Sequence, residues 1–213
     1  MYIPKANEEK RISVMHELIS AQPFGCLVTL GEAGLIASHI PMVLEHDGSM
    51  FGTLRAHISR ANKQWSDLTP SVDALAIFSG DHHYISPSWY TGTKVHGKEV
   101  PTWNYVVVHA YGPLKTIEDR HWLLAHVEKL AEIHETGFAT PWKVSYAPAE
   151  YIEQQLNGII GLEMPIRRLE GKWKLSQNKS ERDRQTISEE LSKRNTPESL
   201  SMSKLLETAR EKT

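Results

Sequence analysis

Gly25-Cys-Leu-Val-Thr-Leu-Gly-Glu-Ala-Gly34, Leu35-Ile-Ala-Ser-His-Ile-Pro-Met-Val43 and, beyond His46-Asp-Gly48, Met50-Phe-Gly-Thr-Leu-Arg-Ala-His57 decide the fold. Apolar and β-branched residues dominate three short runs, at 26–30, 35–43 and 50–57. Turn-forming residues separate them, and such runs at hairpin spacing read as antiparallel strands. Asp47-Gly48 is a hairpin signal, because glycine accepts the positive φ that tight turns require.

On the N-terminal side, residues 8–21 predict a helix, with Ile12, Met15, Leu18 and Ile19 on one stripe. Gln22-Pro23-Phe24-Gly25 ends it, since proline cannot continue the ladder. On the C-terminal side, 57–65 reads as a short polar helix, 73–78 and 84–90 as separate extended segments, and 91–100 as turn-rich and charged. A long β-branched strand follows at 103–111. The pattern over 118–135 predicts a helix presenting Leu123, Leu124, Val127, Leu130, Ala131 and His134, and 148–156 predicts another. Over 159–175 the residues alternate, with Ile160, Leu162, Met164 and Ile166 on one face and Glu163 and Arg167 on the other. After Asn178 the chain becomes polar, with amphipathic fragments near 183–193 and 197–210. The expected class is α+β, an antiparallel β-barrel with flanking helices. Neither GxGxxG nor GxxxxGK[ST] occurs, which disfavours Rossmann and P-loop folds.

The 213 residues are 40% hydrophobic and 23% charged, an ordinary balance for a globular chain. No apolar run reaches the roughly 18 residues of a membrane span, and the first ten residues have no signal-peptide pattern. The expectation is a cytoplasmic protein with no membrane partner. Cys26 is the only cysteine, which excludes an internal disulfide, and its apolar neighbours predict a buried thiol. The net charge of −2 does not advertise a nucleic-acid partner. Residues 166–184 nevertheless hold seven Lys/Arg against three Asp/Glu, and that local excess could meet a phosphate or DNA or simply be solvated.

Four constellations could carry chemistry. Ser38 and His39 sit on opposite faces of a predicted strand. The segment His57-Ile-Ser-Arg-Ala-Asn-Lys63, at a predicted strand-to-helix junction, offers Ser59, Arg60 and Lys63 beside amides that a helix start would leave free for an anion. Tyr84-Ile-Ser-Pro-Ser-Trp-Tyr90 and Pro101-Thr-Trp-Asn-Tyr105, with Trp103, suit a planar heteroaromatic ligand or a dimer interface. Lys172 and Lys174 share one strand face and form a cationic strip or a guarded edge. Asp81-His82-His83 is a poor metal site, because adjacent strand side chains diverge. GxSxG is absent, so a serine hydrolase has no support.

In order along the chain, Met1-Tyr-Ile-Pro4, Pro23-Phe-Gly25, Ala37-Ser-His-Ile-Pro41, and the segments 57–65, 84–90, 100–105 and 169–178 resemble the PaiB-type transcriptional regulators, the FMN-binding type 2 family. Lys63 stands where proline is common in that family. The resemblance implies a split β-barrel of the flavin-reductase and pyridoxamine-phosphate-oxidase kind over residues 1–178, with a polar helical extension at 179–213. It also implies a homodimer with sites between subunits, and a bacterial repressor of sporulation and degradative-enzyme genes. DNA, contacted directly or through another factor, is then a candidate partner. The implied cofactor is FMN. Ser59, Arg60 and Lys63 would hold its phosphate, with Ser38 and His39 near the ring. Lys172, Lys174, Ser176 and Gln177 would approach from the partner subunit, and His57, Asn62 and Trp103 complete the cofactor-binding candidates. No catalytic acid, base or nucleophile is apparent, so a regulator is favoured over a self-sufficient enzyme. An FMN oxidoreductase and a haem-binding split barrel are the alternatives. No helix-turn-helix or strongly basic recognition helix accompanies the regulatory reading.

Overall fold

The computed structural model describes residues 1–93 and 97–210. In chain order the elements are β1 (Glu8–Glu9), α1 (Ile12–Ala21), β2 (Phe24–Gly31), β3 (Gly34–Pro41), β4 (Val43–Glu45), β5 (Thr53–Ser59), β6 (Ala74–Ile85), β7 (Thr102–Gly112) and β8 (Lys115–Ile117). There follow α2 (Arg120–Glu135), α3 (Ala149–Asn157), β9 (Ile159–Pro165), β10 (Arg168–Lys174), α4 (Glu181–Arg194) and α5 (Pro197–Arg210). The chain divides into two compact units. One comprises Met1–Leu18, Ser79–Val108 and Glu170–Thr213, and the other Ile19–Phe78 and His109–Leu169.

The second of these units holds the hairpin that opened the sequence reading. β2 and β3 pair antiparallel from Phe24↔Pro41 to Gly31↔Gly34, and the first half of β6 joins β2 at Cys26↔Ile77. A separate sheet runs β4, β5, β9, β8. Asp47-Gly48 lies in the β4–β5 connection as expected, with Gly48 at φ +85° and Thr53 Oγ1 donating to the Asp47 carboxylate across 2.7 Å. The alternation of β9 is realised, since Ile160, Leu162 and Met164 are buried and Glu163 is not. Cys26 is half-buried, a correction to the buried thiol expected; in β2 it is the neighbouring Leu27 and Thr29 that face the core.

The other unit contains β1, β10, the first half of β7 and the second half of β6, in that order. Its core joins Ile85, Tyr90, Val106 and Leu175 to Ile187, Leu191, Met202 and Leu206. The last four are i, i+4 pairs on α4 and α5, so each helix presents one apolar ridge. The residues after Asn178 therefore complete a core, although their sequence is mostly polar. Ser180 caps α4 by accepting from the Asp183 amide across 3.1 Å, and Asn195, at φ +53°, terminates it in the left-handed conformation.

Three other expectations are corrected. The helix predicted over 8–21 begins only at Ile12, because Glu8 and Glu9 pair with Lys172 and Gly171 of β10. Residues 74–78 and 84–85 belong to one continuous twelve-residue strand, β6. Gly80 allows this, since a Cβ there would lie 2.7 Å from Leu18 and closer still to Val106. The predicted helix at 57–65 is strand as far as Ser59, followed by a turn and a single 3-10 turn, Lys63–Trp65. Of the turn-rich stretch predicted at 91–100, residues 94–96 lie outside the described residues, as do 211–213 at the end of the tail.

Candidate functional site

β5 alternates Leu54, Ala56 and Ile58, which are buried, with Arg55, His57 and Ser59 on the opposite face. At its end the chain turns, and a buried glutamine side chain anchors that turn. Gln64, 1% exposed, donates through Nε2 to Leu27 O (3.1 Å), Thr29 Oγ1 (3.1 Å) and Ile36 O (3.3 Å). This ties the turn to the β2–β3 hairpin. The sequence reading missed Gln64, since only a three-dimensional partner gives a lone glutamine meaning.

Beside the turn lies a cavity of about 480 Å³, lined by β3 residues Ser38, His39 and Ile40, β5 residues His57, Ile58 and Ser59, the turn residue Asn62, and Gln155, Gly158 and Ile159. Five of the residues singled out in the sequence are thus brought together: Ser38, His39, His57, Ser59 and Asn62. Each of the two hydroxyls accepts one hydrogen bond. Ser38 Oγ accepts from Asn62 Nδ2 (3.0 Å), and Ser59 Oγ accepts from the Ala61 amide (3.2 Å). Each keeps an O–H to donate, which suits an oxygen-rich anion.

Arg60 and Lys63 are not in this lining. The Arg60 guanidinium reaches Glu118 (2.8 Å) and the Asn157 carbonyl (3.1 Å), and Lys63 is exposed. Three of the amides at this turn are already bonded. Arg60 N bonds Gly158 O (2.8 Å), Asn62 N bonds Ser59 O (2.9 Å), and Gln64 N bonds Asn62 Oδ1 (3.0 Å). The hydroxyls of Ser38 and Ser59 add side-chain donors beside this turn.

Behind the cavity, α2 covers the outward face of β5. Asp119 caps the helix by accepting from the Trp122 amide (2.8 Å). Trp122 and His126, four residues apart, stack with centroids 5.2 Å apart. Gly161 makes room for this stack, since a Cβ there would overlap the Trp122 ring. The Arg55 guanidinium lies 5.6 Å over Trp122 and pairs with Glu163 at 3.2 Å. His57 meets His126 edge-on at 5.3 Å. Burial alone pushes His57 down from the usual histidine value. Burial, then His57, then Arg55 push His126 down to about 4. His57 Nδ1 and His126 Nε2 are buried without a hydrogen-bond partner. The sequence reading missed His126: the predicted stripe holds Leu123, which is buried, and His134, which is exposed, and the buried face extends beyond it to His126.

The remaining candidates lie in the other unit. Trp103 is 52% exposed and stands against Tyr84 and His82, with centroids 6.0 and 6.1 Å away. Lys174 Nζ donates to the Trp103 carbonyl (2.7 Å) and to Thr102. Lys172 is 8% exposed and donates to Tyr2 O (3.1 Å). β10 is flanked on both sides, so this is neither a solvated strip nor a guarded edge. Ser176, at φ +58°, donates to Asn104 Oδ1 (3.0 Å). Gln177 accepts from the Leu175 amide (2.8 Å) and donates to the Trp173 carbonyl. Lys172, Ser176 and Gln177 therefore serve the packing of their own unit, while Trp103 and Lys174 retain exposed surface.

Antiparallel sheets with, among the described residues, five helices define an α+β split-barrel protein, and a polar cavity lies beside the end of β5. Residues 1–168 match the family described as "Putative FMN-binding domain", and the chain belongs to that family. It is 30% identical over 207 residues to the protease synthase and sporulation protein PAI 2 of Bacillus subtilis, covering 97% of each chain. It is 36% identical to an uncharacterized protein of Emericella nidulans, covering 88% of each, so the family is not confined to bacteria. Among solved structures, the FAD and heme binding protein from Mycobacterium smegmatis superposes with a TM-score of 0.59 at 11% identity, over 79% of this chain and 73% of that one. That likeness concerns the fold. Among the described residues no helix is long and apolar enough to cross a membrane, and no group of three or more His, Cys, Asp or Glu could hold a metal ion.

Proposed function

We propose that the chain binds FMN and acts as a flavin-dependent regulatory protein. The observation that carries the flavin reading is the pair of oriented hydroxyls, Ser38 and Ser59, facing one polar cavity in a member of an FMN-binding family. Both hydroxyls, with Asn62 and Gln155, would hold the phosphate end of the cofactor. Bound FMN would supply hydride or electron chemistry, and the chain's own residues bind and orient it. No carboxylate or thiol lines the cavity, and its titratable groups are the imidazoles of His39 and His57. The relative from Bacillus subtilis, named for protease synthesis and sporulation, supports a regulatory role, and repression of such genes is the form proposed. A homodimer is proposed on the exposed aromatic surface at Trp103 and Tyr84, which a soluble chain gains by covering. Lys174 and Trp103 of a second copy would then be the residues that approach a flavin.

The test is an FMN titration followed by absorption and flavin fluorescence, with riboflavin as the phosphate-free comparison. Tight FMN binding with riboflavin weaker by tenfold or more supports the reading. Equal affinities, or a Soret band from co-purified haem in place of flavin bands, overturn it. The regulatory part is tested by DNA binding over a salt series. Direct contact with several phosphates gives a log–log slope of about −0.9 for each.

A further inference from the structure

The lining of the candidate cavity contains hydroxyls, carboxamides and two imidazoles, but no lysine or arginine. A phosphate monoester carries about −1.5 to −2 charges near neutrality. Hydroxyls and amides satisfy its oxygens without neutralising it. Two arginines of this region pair with carboxylates, Arg60 with Glu118 and Arg55 with Glu163, and Lys63, beside the lining residue Asn62, is exposed and outside the lining. The lining groups that can become positive are His39 and His57.

These two differ in surroundings. His39 is exposed, near Phe24. His57 is walled in. From α2 it meets His126, itself stacked on Trp122. On its own strand it has Arg55 and Ser59 as same-face neighbours, and its partner on β9 is Gly161, next but one to the Glu163 that Arg55 occupies. Two imidazoles 5.3 Å apart, each with an unpartnered buried nitrogen, repel one another when both are charged. The pair can accept one proton far more readily than two. Without a ligand, burial holds both below the usual histidine value, and at His126 the neighbouring His57 and Arg55 add to this. A dianion entering the cavity reverses the sign of the local field and favours the charged form.

We propose that a phosphate-bearing ligand enters this cavity together with a proton, taken up by the buried His57–His126 pair, so that affinity rises as pH falls. The inference rests on the FMN reading and adds its regulation: the site responds to acidity as well as to cofactor concentration. Riboflavin, lacking the phosphate, draws in no proton.

The experiment is calorimetric titration of the full chain with FMN at pH 6.5, in two phosphate-free buffers of different ionisation enthalpy. It is repeated from pH 5.5 to 8, with riboflavin as control. The expected result is uptake of about half to one proton per FMN and none per riboflavin, with FMN affinity falling by up to tenfold per pH unit across part of the range. His57→Gln should abolish the uptake, while His39→Gln should keep it even where it weakens binding. FMN that binds with the same heat in both buffers overturns the proposal and leaves the FMN reading standing. So does uptake that disappears with His39→Gln and persists with His57→Gln. Absence of FMN binding at every pH overturns both. The wild-type measurement stands even if a variant fails to fold.

Discussion

Asn62 Nδ2 donates to Ser38 Oγ across 3.0 Å while Asn62 Oδ1 accepts from the Gln64 amide across 3.0 Å. One carboxamide thus orients a cavity hydroxyl and holds the turn that carries it. Asn62→Ala removes both contacts. The expected loss is about 1–2 kcal/mol of stability, the usual cost of a lost cap and a side-chain hydrogen bond, with FMN affinity reduced roughly tenfold. Urea unfolding and flavin titration read the two effects separately.

Gln64 is expected to matter more to the fold than to the ligand. Gln64→Leu keeps the volume but leaves the Leu27 and Ile36 carbonyls and the Thr29 hydroxyl without this donor. Stability should fall by about 2–4 kcal/mol, because buried polar groups lose their partner. A change under about 0.5 kcal/mol in urea unfolding would mean that the turn is held by other contacts.

Arg60→Ala should change FMN affinity by less than about threefold, since the guanidinium is turned toward Glu118 and the Asn157 carbonyl. A direct charge-assisted bond to phosphate would instead cost about 1.5–3 kcal/mol, more than tenfold. Fluorescence titration of both proteins separates these outcomes.

Acid should destabilise the protein through His126. In the unfolded chain this imidazole titrates near 6.5, whereas in the folded protein it stays neutral down to about 4. Because the unfolded state binds more protons, stability is complete above pH 6.5 and falls as the pH drops from there toward 4. The span corresponds to a loss on the order of 3 kcal/mol, and His57, shifted in the same direction, adds to it. His126→Phe keeps a ring against Trp122 and should flatten this dependence. Unfolding midpoints at pH 7, 5.5 and 4.5 for both proteins provide the check.

Leu191 is fully buried among Ile85, Tyr90, Val106 and Met202. Leu191→Ala should cost about 2–5 kcal/mol, the range for a leucine-sized deletion in a close-packed core. The effect, read by thermal unfolding, would establish that α4 and α5 belong to the folding unit.

What the sequence determined by itself was the part encoded in neighbours along the chain. The β2–β3 hairpin, the Asp47-Gly48 turn, the alternating face of β9 and the existence of α2 follow from spacing, because side-chain direction repeats every two residues in a strand and about every 3.6 in a helix. The family was legible for a related reason: several short motifs keep their order over most of the chain. The tertiary structure decided which of the possible faces is used. In α2, His126 and Trp122 are covered because β5 lies beneath them, while His134, on the stripe read from periodicity, meets solvent. Residues 57–65 read as a helix because polarity and length fit one. They form a strand end and a turn because Ser59, Asn62 and Gln64 find partners in β2, β3 and the segment after α3. α4 and α5 looked like a polar tail, since four buried apolar residues in two helices leave a weak pattern. They become core only when Tyr90 and Val106 supply the opposite surface. The site is likewise tertiary: Ser38, His57 and Asn62 gain a common purpose only once β3, β5 and the turn between β5 and β6 place them around one cavity.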